Sequence, residues 1–135
     1  MGTAYRNPGL LVSMEAESII ADGIAVVVGA ADMKCALPAG ADPVGGVLGL
    51  VKIEGGTSCA VGDTVDIVTS GVYAGVAAAG ITRGDKVAIN GATGTLKTAA
   101  PGAGVNNMVV GTALSSASAG DRFPVLINPH VMQGA

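Results

Sequence analysis

The sequence predicts a single all-β domain, a β-sandwich or jelly roll of about eight or nine short strands with an extended N-terminal arm. Short apolar runs bounded by glycine recur at close spacing, and no stretch has a convincing long helical pattern. Apolar residues make up 50% of the chain but aromatic residues only 2%, and 22 residues are glycine. Valine and small side chains must therefore fill the core, which suits closely spaced β layers. A chain of 135 residues is long enough to bury such a core without staples.

The clearest element runs from residue 61 to 75, where side chains alternate with period 2. Gly62-Asp63 opens this stretch and Ser70-Gly71 is expected to reverse the chain. The residues expected on one face are Val65, Ile67 and Thr69. This pattern predicts a β-hairpin with one buried face.

The Gly-Asp pair that opens the hairpin recurs at Gly84-Asp85 and, more loosely, at Gly120-Asp121. The repetition indicates turns in which the aspartate carboxylate accepts hydrogen bonds from neighbouring backbone N–H groups. It also accounts for Arg83-Gly84-Asp85, which would otherwise look like an adhesion tripeptide. These aspartates are therefore interpreted as turn residues rather than catalysts.

The first twenty residues allow two interpretations. Residues 1–7 have no periodicity, Pro8-Gly9 breaks any regular element, and Gly23 would end a helix early. Residues 1–21 are either an arm that orders against a partner or an edge strand of the same domain. On the first interpretation, deleting residues 1–18 is expected to leave a folded domain.

The β domain is expected over residues 22–128. Its first elements are a buried strand at Ile24–Val28, a short strand within residues 32–37 and a longer one over residues 44–53, with Gly49 at a position where the side chain should be small. The hairpin follows. Asn90-Gly91 then joins two further strands and is the strongest local hairpin signal in the chain.

The last predicted strands cover residues 107–114 and 122–127, and residues 129–135 are expected to be a tail. The glycine-bearing strand at 47–51 followed by Gly62-Asp63 resembles the strand at 109–113 followed by Gly120-Asp121. Two such strand pairs indicate a pseudo-repeated sheet.

Composition excludes several classes of function. Charged residues are only 13% of the chain, against roughly 25% in a typical soluble domain, so part of the surface is expected to lie against another molecule. The net charge is −3 and the seven basic residues are scattered, which argues against nucleic-acid binding. No apolar run has the length of a membrane helix, and no signal peptide is expected.

No catalytic, cofactor or metal constellation is evident in the sequence. His130 stands alone after Pro129, without a partner base or further ligands. Residues 91–98 resemble a phosphate-binding loop only superficially, because Leu96 occupies the position that needs glycine. Cys35 and Cys59 are expected to be free, small core residues. The chain is therefore predicted not to be an enzyme.

Several of these motifs, taken in order, resemble the capsid cement (decoration) proteins of tailed bacteriophages. The motifs are Val47–Val51, Gly62–Val72, Ile81–Val87, Gly94–Lys97, Val110–Leu114 and Ala117–Asp121. The resemblance covers residues 22–128 and implies a non-catalytic jelly-roll or sandwich subunit on the outer surface of the virion head. It further implies binding to the major capsid protein, self-association as a dimer or trimer, and synthesis in the bacterial cytoplasm.

An N-terminal arm on such a protein would reach a neighbour on the shell. The residues expected at this interface are Tyr5, Arg6, Pro8, Leu10, Leu11, Val12 and Met14. The alternative function is an adhesion or carbohydrate-binding β module of a phage tail or fibre. Sugar sites usually need an aromatic face, and this chain has only two tyrosines and one phenylalanine.

Overall fold

The described chain folds as β-strands arranged in a closed barrel and an adjoining sheet. The computed structural model describes residues 7–39 and 46–135, with the backbone alone at Asn7. Eleven strands lie in this part of the chain: β1 (Asn7–Pro8), β2 (Leu11–Ala16), β3 (Ala25–Val28), β4 (Lys34–Ala36), β5 (Val47–Lys52), β6 (Thr64–Val68), β7 (Gly71–Val76), β8 (Lys86–Ile89), β9 (Leu96–Thr98), β10 (Asn106–Ala113) and β11 (Arg122–Gln133). The helical structure among the described residues is one 3-10 turn, Gly91–Thr93. The predicted all-β class is confirmed.

The predicted sandwich or jelly roll is not confirmed at the level of strand order. Five strands close into a barrel in the order β2-β4-β3-β5-β6, and six form a sheet in the order β1-β7-β11-β10-β8-β9. Neighbouring strands are antiparallel except β2 and β4, which are parallel. An isolated bridge joins Ala77, which follows β7, to Leu96 of the edge strand β9, and Ala78 N–H donates to the Leu96 carbonyl at 2.7 Å. This bridge pairs part of the β9 edge.

Two apolar cores support the two units. The barrel interior holds Met14, Ala16, Ile20, Ile24, Val26, Cys35, Val51, Cys59, Val65 and Ile67. The second core is lined by the sheet, with Tyr73, Val87, Ile89, Leu96, Val110, Phe123 and Val125 among its members. Leu50 of β5 and Val68 of β6 also belong to it. The sheet therefore packs directly on one wall of the barrel, through apolar side chains of β5 and β6.

The predicted hairpin at residues 61–75 is wrong, because β6 and β7 do not pair with each other. β6 lies in the barrel beside β2 and β5, whereas β7 lies in the sheet beside β1 and β11. The chain passes from one unit to the other at Ser70, where Gly71 adopts a φ of 92°. Alternation identified two strands correctly, but it does not specify which strands pair.

The N-terminal segment pairs with the strands on both sides of this crossing. Asn7 pairs with Val72 in the sheet, and Leu11 to Glu15 pair with β6 in the barrel. Between them, Gly9 N–H donates to the Ser70 carbonyl at 2.9 Å. The interpretation of residues 1–21 as an arm is therefore wrong from β2 onward, since β2 is needed to close the barrel. The interpretation as a strand of the same domain is supported there, and the residues before Asn7 lie outside those described.

The predicted C-terminal tail is also corrected, because β11 continues to Gln133 and pairs with β10 as far as Asn106. Pro129 lacks an N–H group, but it lies where the β10–β11 register shifts, between Val109 and Gly111. A proline is tolerated at such an irregularity because no ladder hydrogen bond is lost.

The three Gly-Asp motifs form the same corner three times, as the sequence predicts. In each, the aspartate carboxylate accepts from the backbone N–H three residues earlier, at 2.8 Å for Asp63 and 3.0 Å for both Asp85 and Asp121. The preceding glycine has a φ between 88° and 93°, which disfavours any other residue. Each corner then exchanges two backbone hydrogen bonds with an alanine that ends or follows another strand. The alanines are Ala16, Ala113 and Ala77, in the order of the corners.

The two glycine-bearing strands that resemble each other in sequence, at residues 47–51 and 109–113, also share a physical feature. A Cβ on Gly49 would lie 2.1 Å from the Val68 carbonyl oxygen, and one on Gly111 would lie 2.0 Å from that of Leu126. Real Cβ atoms do not approach a carbonyl so closely, so both glycines permit a close approach of the neighbouring strand. Gly111 does so where the β10–β11 register shifts, whereas Gly49 approaches β6 and lies beside a register shift between β5 and β3.

Replacing Gly111 by alanine is expected to destabilise the fold by about 3 kcal/mol or more, because the obstacle is backbone rather than a movable side chain. Equilibrium denaturant unfolding of the purified variant measures this loss. Gly80→Ala is the matched control, since a Cβ there meets nothing within 4 Å and should change stability by less than about 0.5 kcal/mol. Equal losses of stability in the two variants would contradict the role of Gly111 in close strand approach.

A polar cluster, the inter-unit clasp, joins the barrel to the sheet at Asp22. The Tyr73 hydroxyl and the Ile53 N–H both donate to Asp22 Oδ1 at 2.8 Å, and Arg122 Nη2 donates to Oδ2 at 3.0 Å. Arg122 Nη2 also donates to the Ala74 carbonyl at 2.7 Å. The Asp22 side chain is only 10% exposed, so each of its hydrogen bonds replaces lost hydration. Gly23 has a φ of 84°, and a Cβ there would lie 2.6 Å from the Ala74 carbonyl oxygen, which explains the glycine.

Candidate interaction surface

The described residues assemble no recognisable reaction centre. Within residues 7–39 and 46–135, no group of three His, Cys, Asp or Glu side chains is placed to hold a metal ion. The His130 ring is half-buried, and its Nδ1 lies 2.7 Å from the carbonyl oxygen of Asn128. No helix in this part of the chain has the length and apolarity to cross a membrane.

The two cysteines are free and buried, as expected. Both lie in the barrel core. Burial raises the pKa of the Cys35 thiol, and the neighbouring Cys59 raises it further. The thiolate is the reactive form of cysteine, so a raised pKa keeps Cys35 protonated and inert at neutral pH. These residues act in packing.

The interface residues expected from the sequence fall into three groups. Tyr5 and Arg6 lie outside the described residues. Leu10, Leu11 and Val12, here called the N-terminal apolar segment, are 62%, 41% and 37% exposed, and Pro8 beside them is half-buried. Met14 is only 9% exposed and lies inside the barrel, so it is a core residue rather than a surface one.

The backbone of the N-terminal apolar segment is held in place although its side chains face solvent. Leu10 N–H donates to Ser70 Oγ at 3.0 Å, and Thr69 N–H donates to the Leu10 carbonyl at 2.9 Å. Thr69 Oγ1 donates to the same carbonyl at 3.2 Å. The segment therefore offers adjacent exposed leucines on an ordered backbone, so a partner need not order this segment when it binds.

A further feature, which the sequence reasoning missed, is a hollow of about 410 Å³ at the end of the barrel. Among its lining residues are three carboxylates, Glu54, Asp63 and Asp66, and we call it the acidic hollow. Lys52 forms an ion pair with Glu54 at its rim. The acidic excess before residue 69 is visible in the sequence, but the concavity depends on how β5 and β6 pair.

These observations define a class: an all-β protein with exposed apolar side chains on an ordered backbone and with aspartates that cap its turns. The chain belongs to the family of phage structural cement proteins. The family model described as structural cement protein (E217 gp24/Pam3 gp6) matches residues 2–128. The resemblance noted from the motifs is confirmed, and the match begins well before residue 22, in agreement with the place of β2 in the domain.

Among solved structures, the chain is similar to the head fiber gp8.5 N base of bacteriophage phi29. The TM-score is 0.63 at 18% sequence identity, and the likeness covers 88% of this chain and 93% of that chain. At this identity the comparison concerns the fold. A comparison with curated proteins found no match.

Proposed function

We propose that this cement protein binds the outer surface of a phage head, contacts neighbouring major capsid proteins, and stabilises the contacts between them without catalysing a reaction. Membership of the structural cement family over residues 2–128 is the observation that carries the proposal. The charge-poor composition agrees with a protein that acts through contacts. Several copies on one shell, associated as dimers or trimers, would gain strength from multivalency even if each contact were weak.

We propose the N-terminal apolar segment, with Pro8 beside it, as part of the surface that meets the shell. Its two leucines are adjacent in the chain and are 62% and 41% exposed. Burying such side chains favours association by about 25 cal/mol per Å² of apolar surface. The fixed backbone here replaces the disordered arm that the sequence suggested.

Replacing Leu10 and Leu11 together by serine is expected to weaken binding to empty expanded capsids by about tenfold or more, because less apolar area is buried. Co-sedimentation with capsids over a range of protein concentrations measures the affinity, and the disruption temperature of the decorated shell measures stabilisation. Val28→Ser with Val105→Ser is the matched control, since both valines are exposed and lie elsewhere.

Three outcomes can be distinguished. Weaker binding by the leucine variant alone supports this surface. Equal weakening by both variants points to a general apolar effect and contradicts it. Failure of the unaltered protein to bind any shell would contradict the proposed function itself.

The adhesion or carbohydrate-binding alternative gains nothing from the geometry. Tyr73 and Phe123, the aromatic residues within the described chain, are each 1% exposed. They therefore offer no stacking face for a sugar ring. The similar phi29 structure is titled as the base of a head fiber. At 18% identity this likeness supports a shared fold and not a shared ligand.

A further inference from the structure

The two units of the molecule carry charge of opposite sign. The barrel and its connections, residues 10–39 and 46–68, contain seven acidic and two basic side chains. Residues 69–135 contain two acidic and four basic side chains. Within a chain of net charge −3, this is a segregation rather than a uniform excess of acid. It gives the molecule two surfaces that attract each other electrostatically.

Three cations of the sheet gather on its outer side near β8 and β9, and we call Arg83, Lys86 and Lys97 the basic face. Val87 and Ile89 point into the core, so Lys86 projects from the opposite face of β8. Lys97 of β9 lies opposite Ala88, which places it on the same face as Lys86. Arg83 is exposed on the turn that leads into β8. None of the three forms an ion pair within the described residues.

The nearby Asp85 lowers the positive charge of the basic face by one but forms no ion pair with its three cations within the described residues. Asp85 accepts from Thr82 N–H at 3.0 Å and from the Thr98 hydroxyl at 2.9 Å, so its carboxylate is engaged with its own turn and strand. Arg83 occupies the second position of that turn, and its backbone N–H donates to Ser116 Oγ at 3.0 Å. The equivalent positions of the other two corners are Val61 and Ala119. Of the three corners, this one alone presents a cation, on a backbone that is already fixed.

The acidic hollow has the opposite charge, with three carboxylates against the single cation Lys52. Glu54 has a side chain 75% exposed at its rim, and Asp66 lies on the barrel surface where it accepts from the Ser13 hydroxyl at 2.8 Å. A concavity of about 410 Å³ has room for a projecting arginine side chain. Two separate surfaces of one chain thus carry opposite charge, and one of them is concave.

We infer that copies of this protein associate head to tail, with the basic face of one copy against the acidic hollow of the next. Such a contact is heterologous, because the two surfaces consist of different residues, and each added copy leaves one surface of each kind free. Repetition closes into a ring if the rotation allows it. The inference deepens the proposed function by naming the contact between copies. It rests on the proposed function only for the place of this association, the surface of the phage head.

The test uses two charge-reversed variants of the full chain. Glu54→Lys with Asp66→Lys reverses the hollow, and Arg83→Glu with Lys86→Glu reverses the basic face. We expect the unaltered protein to self-associate at low salt, with affinity falling about tenfold or more as salt rises towards 0.5 M. Each variant alone should remain monomeric in sedimentation velocity. An equimolar mixture of the two should associate again, because each surface then meets one of opposite sign.

Carbodiimide coupling, which joins a carboxylate to an amine in direct contact, identifies the residues. A mixture of isotope-labelled and unlabelled protein should give intermolecular links between Lys86 or Lys97 and Glu54 or Asp66. Glu15→Lys with Asp32→Lys is the matched control, since it reverses two barrel carboxylates outside the hollow. This control should associate as the unaltered protein does.

Other results overturn the inference. These are a monomer at low salt with no intermolecular link, dissociation of the control as well, or a mixture that stays monomeric. If the sheet-reversed variant still self-associates but no longer binds capsids, the basic face meets the capsid protein instead. Self-association without capsid binding would contradict the proposed function and leave this inference standing.

Discussion

A chain that lacks residues 1–18 is expected not to fold, in contrast to the folded domain that an arm would leave behind. The deletion removes all of β2, which pairs with β6 along five residues and with β4 at two, and so opens the barrel. It also removes Met14 and Ala16 from the barrel core. Their loss, together with unpaired edges on β4 and β6, exceeds what a domain with about 5–15 kcal/mol of stability can tolerate.

Far-UV circular dichroism and denaturant unfolding of the truncated chain provide the measurement. We expect no cooperative transition. Paired substitutions in β2 separate packing from surface effects: Met14→Ala is expected to cost about 2–3 kcal/mol, and Leu11→Ala less than about 0.5 kcal/mol. A truncated chain that unfolds cooperatively near the full-length midpoint would show that β2 is dispensable.

Replacing Asp22 by alanine is expected to destabilise the protein by about 2–4 kcal/mol, since it leaves the Tyr73 hydroxyl and the Arg122 guanidinium without their carboxylate. The Arg122 side chain is 35% exposed, so water compensates part of the loss on that side. Tyr73 is 1% exposed, so water compensates less on its side. The lost stability comes from the contact between the barrel and the sheet rather than from either apolar core.

Denaturant unfolding of D22A, R122A and the double variant measures the coupling between the two side chains. We expect the double variant to lose less stability than the sum of the single losses, because the pair acts as a unit. D32A, at an exposed carboxylate, is the control and should change stability by less than about 0.5 kcal/mol. Additive losses would show that the clasp makes no cooperative contribution.

Local turn chemistry was predictable from the sequence because the residues that make each turn are neighbours in the chain. The Gly-Asp corners form as predicted, and Asn90-Gly91 does join β8 to β9. The capping aspartates at positions 63, 85 and 121 needed no knowledge of the fold. Each accepts from a backbone group three residues away.

Strand pairing was not predictable by the same reasoning. Ser70-Gly71 has the composition of a hairpin turn, yet the chain continues there from the barrel into the sheet. A hairpin and a crossing between units are distinguished by the segment around Gly9 and Leu10, some sixty residues earlier. This segment forms hydrogen bonds with Thr69 and Ser70. The alternation of β6 and β7 is the same in either case.

Which N-terminal side chains are exposed could not be predicted for a related reason. Leu10 to Val12 and Met14 were expected together at an interface as parts of one arm, but Met14 lies inside a closed barrel. The acidic hollow and the basic face depend on which strands are neighbours. Their charges are visible in the sequence, whereas their grouping is not.

The pairing of the N-terminal segment with the crossing strand also has a consequence for synthesis of the chain. Leu10 bonds to a residue 60 positions later, and Asp22 to one 100 positions later. At about 5–20 residues per second, the first strand waits roughly 3–12 s before its partner leaves the ribosome. Contacts of such sequence separation make folding slow. During that interval the valine-rich strands between them remain exposed, so yield in the host should depend on temperature and chaperones more than final stability suggests.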